Sequence, residues 1–186
     1  MQSLRCINLS YNIAANRKGL NANVPTISAP FQDIYDTDEN IGYGGNLLGR
    51  WQHTTANGGE VSTQMYYDNE QRRADEYFKD ILHTTDIEVQ HVPAWQGRHS
   101  WIWGGGARYV ADELEPGLVF PEGEDSYYRR STAFFQYGYA LIENVLDVTV
   151  GSKFEYNDFS HFESQPSVRL LWRPRDATTL WAAVSL

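Results

Sequence analysis

The sequence is poor in several things at once. It has one cysteine, Cys6, so no intramolecular disulfide and no zinc site built on several thiolates can form. It has 2 Met, and no apolar run approaches the roughly 18 residues of a transmembrane helix. The residues Met1 to Asn12 show no basic stretch followed by an apolar one, so no signal peptide is expected. Positive charge is scarce too. Lys+Arg 15 against Asp+Glu 24 gives a net charge of −9, a poor electrostatic match to nucleic acid.

Catalytic signatures are also missing. There is no G-x-S-x-G elbow, no H-E-x-x-H and no phosphate-binding loop, so no enzyme is expected. Asp36, Asp38, Asn40 and Gly42 hint at a calcium loop, but Gly42 falls one position late and Leu47 stands where a glutamate is needed. A solvated acidic loop with Asx turns is the preferred reading. His83, His91 and His99 are eight apart and fall in different segments, which argues against metal ligation. Gly104, Gly105 and Gly106 lie inside a strand pattern and open no helix, so they read as a strand bend or a close backbone approach. Glu122, Glu124 and Asp125 lie in a Gly/Pro loop and read as solvated charge. No cofactor is expected.

What the chain has in abundance is aromatic residues, 14% with 12 Tyr and 6 Trp, together with 15 Gly. That mixture favours strands and turns. Period-two alternation recurs in nine segments: 3–13, 43–54, 60–68, 84–92, 99–110, 129–141, 146–157, 166–173 and 178–186. In 146–157, Leu146, Val148, Val150, Phe154 and Tyr156 oppose Asp147, Thr149, Lys153, Glu155 and Asn157. Short turns near 57, 95, 144 and 175 alternate with long connections at 16–41, 69–82, 111–127 and 158–164. Within 69–82, Ala74, Tyr77, Phe78 and Ile81 are spaced for a short helix.

The fold class that follows is all-β: an antiparallel meander of about nine strands, part of a transmembrane β-barrel. Short turns at one end, long loops at the other, and aromatic residues near strand ends are the layout of outer-membrane barrels. A mean hydropathy of −0.52 does not oppose this, because barrel strands carry a weak hydropathy signal. The expected lipid face is Leu47, Trp51, Met65, Val89, Trp101, Trp103, Phe135, Tyr137, Val148, Val150, Leu170 and Leu180. The opposite, lumen-facing candidates are Gln64, Asp86, Glu88, Gln90, Arg108, Gln136, Lys153, Glu155 and Arg169. They would form a cross-strand charge ladder, line a polar path or dock a plug. The alternation also fits a soluble barrel or sandwich with an apolar ligand inside, which reverses the burial of the two faces. A third reading is a small autonomous membrane barrel acting as an adhesin or pore, which needs an even strand count.

Seven runs resemble the TonB-dependent receptors of the Gram-negative outer membrane. They are Gly44–Trp51, Gln64–Asp68, Thr85–His91, Trp103–Tyr109, Gly151–Asn157, Gln165–Pro174 and Thr179–Ser185, in order and at the rough spacing of mid-barrel strands. The resemblance implies a barrel of about 22 strands around a plug. It implies uptake of a scarce ligand of the siderophore, cobalamin or oligosaccharide class, and partnership with outer-membrane lipid. An energy-coupling periplasmic protein would act through an N-terminal box. The chain shows no such box, no plug and no signal peptide. Residues 1–186 therefore read as a single barrel segment, not functional alone, that needs the plug and the remaining strands.

Overall fold

The computed structural model describes residues 5–25, 33–74, 78–94, 97–116, 122, 124–175 and 177–186. The side chains of residues 20–38 and 124 are not described.

Nine strands form one sheet in sequence order. They are β1 Arg5–Pro25, β2 Asp33–Thr54, β3 Glu60–Ala74, β4 Phe78–Val92, β5 His99–Glu115, β6 Glu124–Ile142, β7 Leu146–Asn157, β8 His161–Arg175 and β9 Thr178–Ser185. Every neighbouring pair is antiparallel. No helix occurs among the described residues. β1 and β9 are the outer strands, and no pairing joins them among the described residues.

Side chains alternate between faces along a strand, and directly opposed residues share a face. The register therefore assigns every position. One face carries the odd-numbered residues of β1–β5 and of β6 as far as Ala140, and the even-numbered residues from Ile142 through β7–β9. A row such as Leu9, Gly49, Met65, Ile87 and Ala107 runs straight across five strands on it. The switch from odd to even has a local cause. Ala140 opposes Asp147 while Ile142 opposes Leu146, so Leu141 is an extra residue, a β-bulge.

The exposure of this face is the opposite of a soluble domain's. Of the exposed large hydrophobic residues among the described residues, all but Leu141, Phe159, Trp181 and Leu186 fall on it; Met65 is 56% exposed and Ile13 83%. The one fully buried hydrophobic residue among those described is Ala74, opposite Phe78. A sandwich or lipocalin-like barrel would pack these apolar side chains inside. Here they point out, and most of the polar face is half-covered.

Two expectations about connections are corrected. Residues 69–74 and 78–82 are strand, not helix, with Arg72 opposite Asp80 and Gln71 opposite Ile81. Tyr77 lies outside the described residues. Four apolar residues at helical spacing do not outweigh a ladder that satisfies the backbone groups of both strands. The long loops are mostly strand as well. β1 runs on to Pro25 and β2 starts at Asp33, so Asp36, Asp38 and Asn40 lie in a ladder opposite Ala22, Leu20 and Lys18. β5 reaches Glu115 and β6 starts at Glu124. These extensions are polar on both faces, which hides them from a search for alternation.

Candidate functional site

The chemistry of the chain is laid out on two surfaces. The apolar face forms a band. On β4 it runs from His91 to Ile81 and ends at Lys79. Ten steps of about 3.3 Å, tilted by about 40°, give about 25 Å, the height of the apolar band of an outer-membrane barrel. Charge bounds the band on several strands. Arg17 is paired to Glu39, its Nε donating at 2.7 Å, and Lys79 is paired to Glu115.

Aromatic and histidine rings gather near both margins. At the short-turn margin Trp51 stacks on His53 at 5.7 Å, and His91 meets the edge of Trp103 at 5.4 Å. His99 Nδ1 lies 2.6 Å from the Tyr137 hydroxyl. At the other margin the Tyr67 hydroxyl lies 2.9 Å from His83 Nδ1, and Tyr109 stacks on Tyr127 at 6.1 Å. Rings with one polar atom suit a boundary between hydrocarbon and water. His83, His91 and His99 are thus engaged by different neighbours and do not converge.

The expected lipid-face residues all occupy the apolar face by register. The expected lumen-facing residues all occupy the polar one. Several of the latter are brought together. Arg50 Nη2 donates to Gln64 Oε1 at 2.6 Å, and Gln64 stands directly opposite Glu88. These residues and Gln90 line a groove of about 250 Å³. Arg108 Nε donates to Asp86 Oδ2 at 2.8 Å across β4 and β5. Lys153 Nζ donates to Glu155 Oε2 at 3.1 Å along β7. Gln136 and Arg169 lie apart from these pairs, opposite Gly151 and Thr149.

Other contacts on this face were not anticipated. Arg173 Nη1 donates to Asp147 Oδ2 at 2.7 Å, and Arg72 pairs with Glu70 at 2.8 Å. Asp80 and Asp112 form a carboxyl pair between β4 and β5, each with one oxygen buried and unpartnered. Burial pushes the Asp80 carboxyl above its ordinary 3.8, reinforced by the hydrogen bond and charge of Asp112. Asp80 lies one residue beyond Ile81, where the band ends, and Asp112 stands opposite Leu82 at that margin. Glu122 is exposed at a bend and Asp125 is exposed on β6, matching their reading as solvated charge.

Gly104, Gly105 and Gly106 sit within β5. A methyl group on Gly104 would approach the Phe134 ring to 2.7 Å and would meet the Val89 carbonyl oxygen. The triple glycine serves close strand packing under an aromatic ring, as the strand pattern implied.

No protein-family model matches the chain, and no curated protein matches it by sequence. A solved structure does match. The siderophore receptor PirA from Acinetobacter baumannii aligns with a TM-score of 0.62 over 96% of this chain, at 11% sequence identity. The chain spans about a third of that receptor, 33% of its length. At this identity the likeness is one of fold.

Proposed function

We propose that the chain is a segment of the barrel wall of a TonB-dependent outer-membrane receptor. Such a receptor takes up a scarce ligand, of the siderophore, cobalamin or oligosaccharide class, across the outer membrane of a Gram-negative bacterium. The observation that carries this reading is a continuous apolar face, ringed by aromatic residues, on a meander with almost no hydrophobic core among the described residues. An exposed apolar surface of that extent marks contact with lipid or protein. The fold likeness to a siderophore receptor supports the receptor class.

In this reading the apolar face meets lipid and the polar face lines the lumen. Gln64, Asp86, Glu88, Gln90, Arg108, Gln136, Lys153, Glu155 and Arg169 stiffen the wall or contact a plug. No bond is made or broken, so no side chain is catalytic. Energy reaches the receptor from a periplasmic coupling protein through parts other than this wall.

The test is a charge placed on either face. Val150→Arg puts a cation on the lipid side and is expected to lower folding into liposomes, costing about 2–4 kcal/mol near the midplane. Gln136→Arg, on the polar face of β6, is expected to fold like the parent. Equal yields for both variants would remove the face assignment and with it the membrane reading.

A further inference from the structure

The apolar face carries different charge at its two margins. At the long-hairpin margin cations meet carboxylates: Arg17 is paired with Glu39 and Lys79 with Glu115. Glu113 and Asp125 stand opposite one another there as well. At the short-turn margin, among the described residues, no outward strand position is Asp or Glu. Arg5, His53 and His91 stand there instead, in a chain whose net charge is −9. They share one row across β1 to β4: Arg5 opposite His53, His53 opposite Val61, and Val61 opposite His91. Three strand spacings of about 4.8 Å make the row about 14 Å long.

The wall itself does not use up these groups. Arg5 is exposed and is bonded to no side chain among the described residues. His53 lies flat on Trp51, and its Nδ1 is buried without a partner, so Nε2 is the nitrogen left for a ligand. His91 touches the edge of Trp103 and makes no hydrogen bond through its ring among the described residues. His83 and His99 differ, because their Nδ1 atoms lie 2.9 Å and 2.6 Å from tyrosine hydroxyls.

We infer that the row of Arg5, His53 and His91 binds the phosphate of anionic phospholipid in the leaflet at the short-turn margin. The inference rests on the membrane reading above and names the headgroup that this part of the outer face selects. The Arg5 guanidinium supplies charge and a fork of N–H donors to phosphate oxygens. The two imidazoles each add an N–H. Trp51 and Trp103 set the depth, since an indole rests on hydrocarbon while its N–H meets the headgroup level. Acyl chains then lie over Trp51, Thr63 and Val89, the next outward row toward the middle of the band. A zwitterionic headgroup brings its own cation beside the phosphate, and this margin has no outward carboxylate among the described residues to receive it. At the opposite margin Glu39, Glu113, Glu115 and Asp125 repel an anionic headgroup, so the selection is confined to one leaflet.

The chain's 5 histidines make the test direct, because diethyl pyrocarbonate modifies accessible imidazole nitrogens and each position is read by mass spectrometry. The full chain is refolded into vesicles of phosphatidylcholine alone, or of phosphatidylcholine with an equal share of phosphatidylglycerol. In the second, His53 and His91 are expected to react several-fold more slowly, while His83 and His161 keep their rates. Arg5→Gln is expected to remove most of the protection at His53, and Arg17→Gln, at the other margin, none of it. Inorganic phosphate added to the phosphatidylcholine vesicles is expected to protect neither ring.

Equal rates at His53 and His91 in the two lipids would overturn the inference, as would protection that survives Arg5→Gln. Equal slowing at every histidine would overturn it too, because surface charge alone has that effect. Protection by inorganic phosphate would make the row a site for a soluble anion and not for lipid. Protease digestion of the same vesicles is read alongside. A protected chain without the lipid preference defeats only the headgroup site, whereas a chain digested throughout defeats the membrane reading as well.

Discussion

Asp86 and Arg108 stand directly opposite one another on β4 and β5, and the Arg108 Nε–H donates to the Asp86 carboxylate at 2.8 Å. The Asp86 side chain is 16% exposed and that of Arg108 38%. The pair is half-screened, so its weight is that of a cross-strand charge pair, about 0.2–1 kcal/mol. A double-mutant cycle of Asp86→Ala and Arg108→Ala, read as urea midpoints in liposomes, is expected to show favourable coupling in that range. Additive losses would mean that the two side chains act independently.

Gly104 lies under the Phe134 ring. Gly104→Ala is expected to destabilise the sheet by about 1–3 kcal/mol, the usual cost of forcing extra volume into a packed site. Phe134→Leu in the same chain relieves the ring contact but leaves the Val89 carbonyl in the way. Rescue should therefore be partial. Full rescue, or no loss in the single variant, would contradict the close approach.

Met65 and Gln64 are neighbours on opposite faces of β3. Met65→Lys is expected to reduce heat-resistant folded protein in a gel-shift assay, because the ammonium must enter the apolar band. Gln64→Lys, beside Glu88 on the polar face, is expected to fold normally. If the polar-face variant were the more damaging, the inside and outside of the wall would be exchanged.

Asp80 supplies a pH dependence outside the band. Its folded-state pKa is raised above the ordinary 3.8, by burial first and then by Asp112, against the opposing charge of Arg72. Proton binding therefore favours the folded extension. That contribution is present below the ordinary value and is lost as pH rises through the raised one. Hydrogen exchange in β4 and β5 near residues 78–82 and 112–115 should accelerate over that rise. Asp112→Asn removes the like charge and should flatten the profile. An unchanged profile in that variant would show that Asp112 plays no part.

Asn157 is 6% exposed, and its side-chain oxygen accepts hydrogen bonds from the backbone N–H of Phe159 at 2.9 Å and Ser160 at 2.8 Å. Its amide donates to Ser160 Oγ at 2.7 Å. Asn157→Ala leaves two turn donors without this acceptor and should cost about 1–3 kcal/mol. Asn157→Asp keeps the acceptor and should recover most of it. Equal losses for both variants would mean that the turn depends on volume rather than on this oxygen.

The two faces were readable in advance because alternation is local. Val148, Val150 and Thr149 announce their sides without knowledge of any partner. Pairing is not local, and whatever depends on it was out of reach. Opposed charges such as Asp147 and Arg173 lie 26 positions apart and become neighbours only once the register is known. The extended hairpins escaped for a different reason. Around Arg17, Asn40, Arg73 and Asp80 polar residues occupy both faces beyond the band, so alternation fades while the backbone ladder continues. Ala74 and Phe78 show the hazard: a spacing of four looks helical, yet the two residues stand opposite one another on β3 and β4.

The bulge at Leu141 has a consequence for how such a wall can change in length. One residue added to or removed from a hairpin turns every later side chain over, sending charge to one environment and leucine to the other. Two residues leave the sides as they were. Leu141 absorbs an odd residue, and without it β7, β8 and β9 would present Asp147, Arg169 and Trp181 outward in place of Val148, Leu170 and Leu180. The wall thus keeps count modulo two. Its hairpins are free to grow in pairs of residues, and a single-residue change has to be matched by a bulge before the next strand begins.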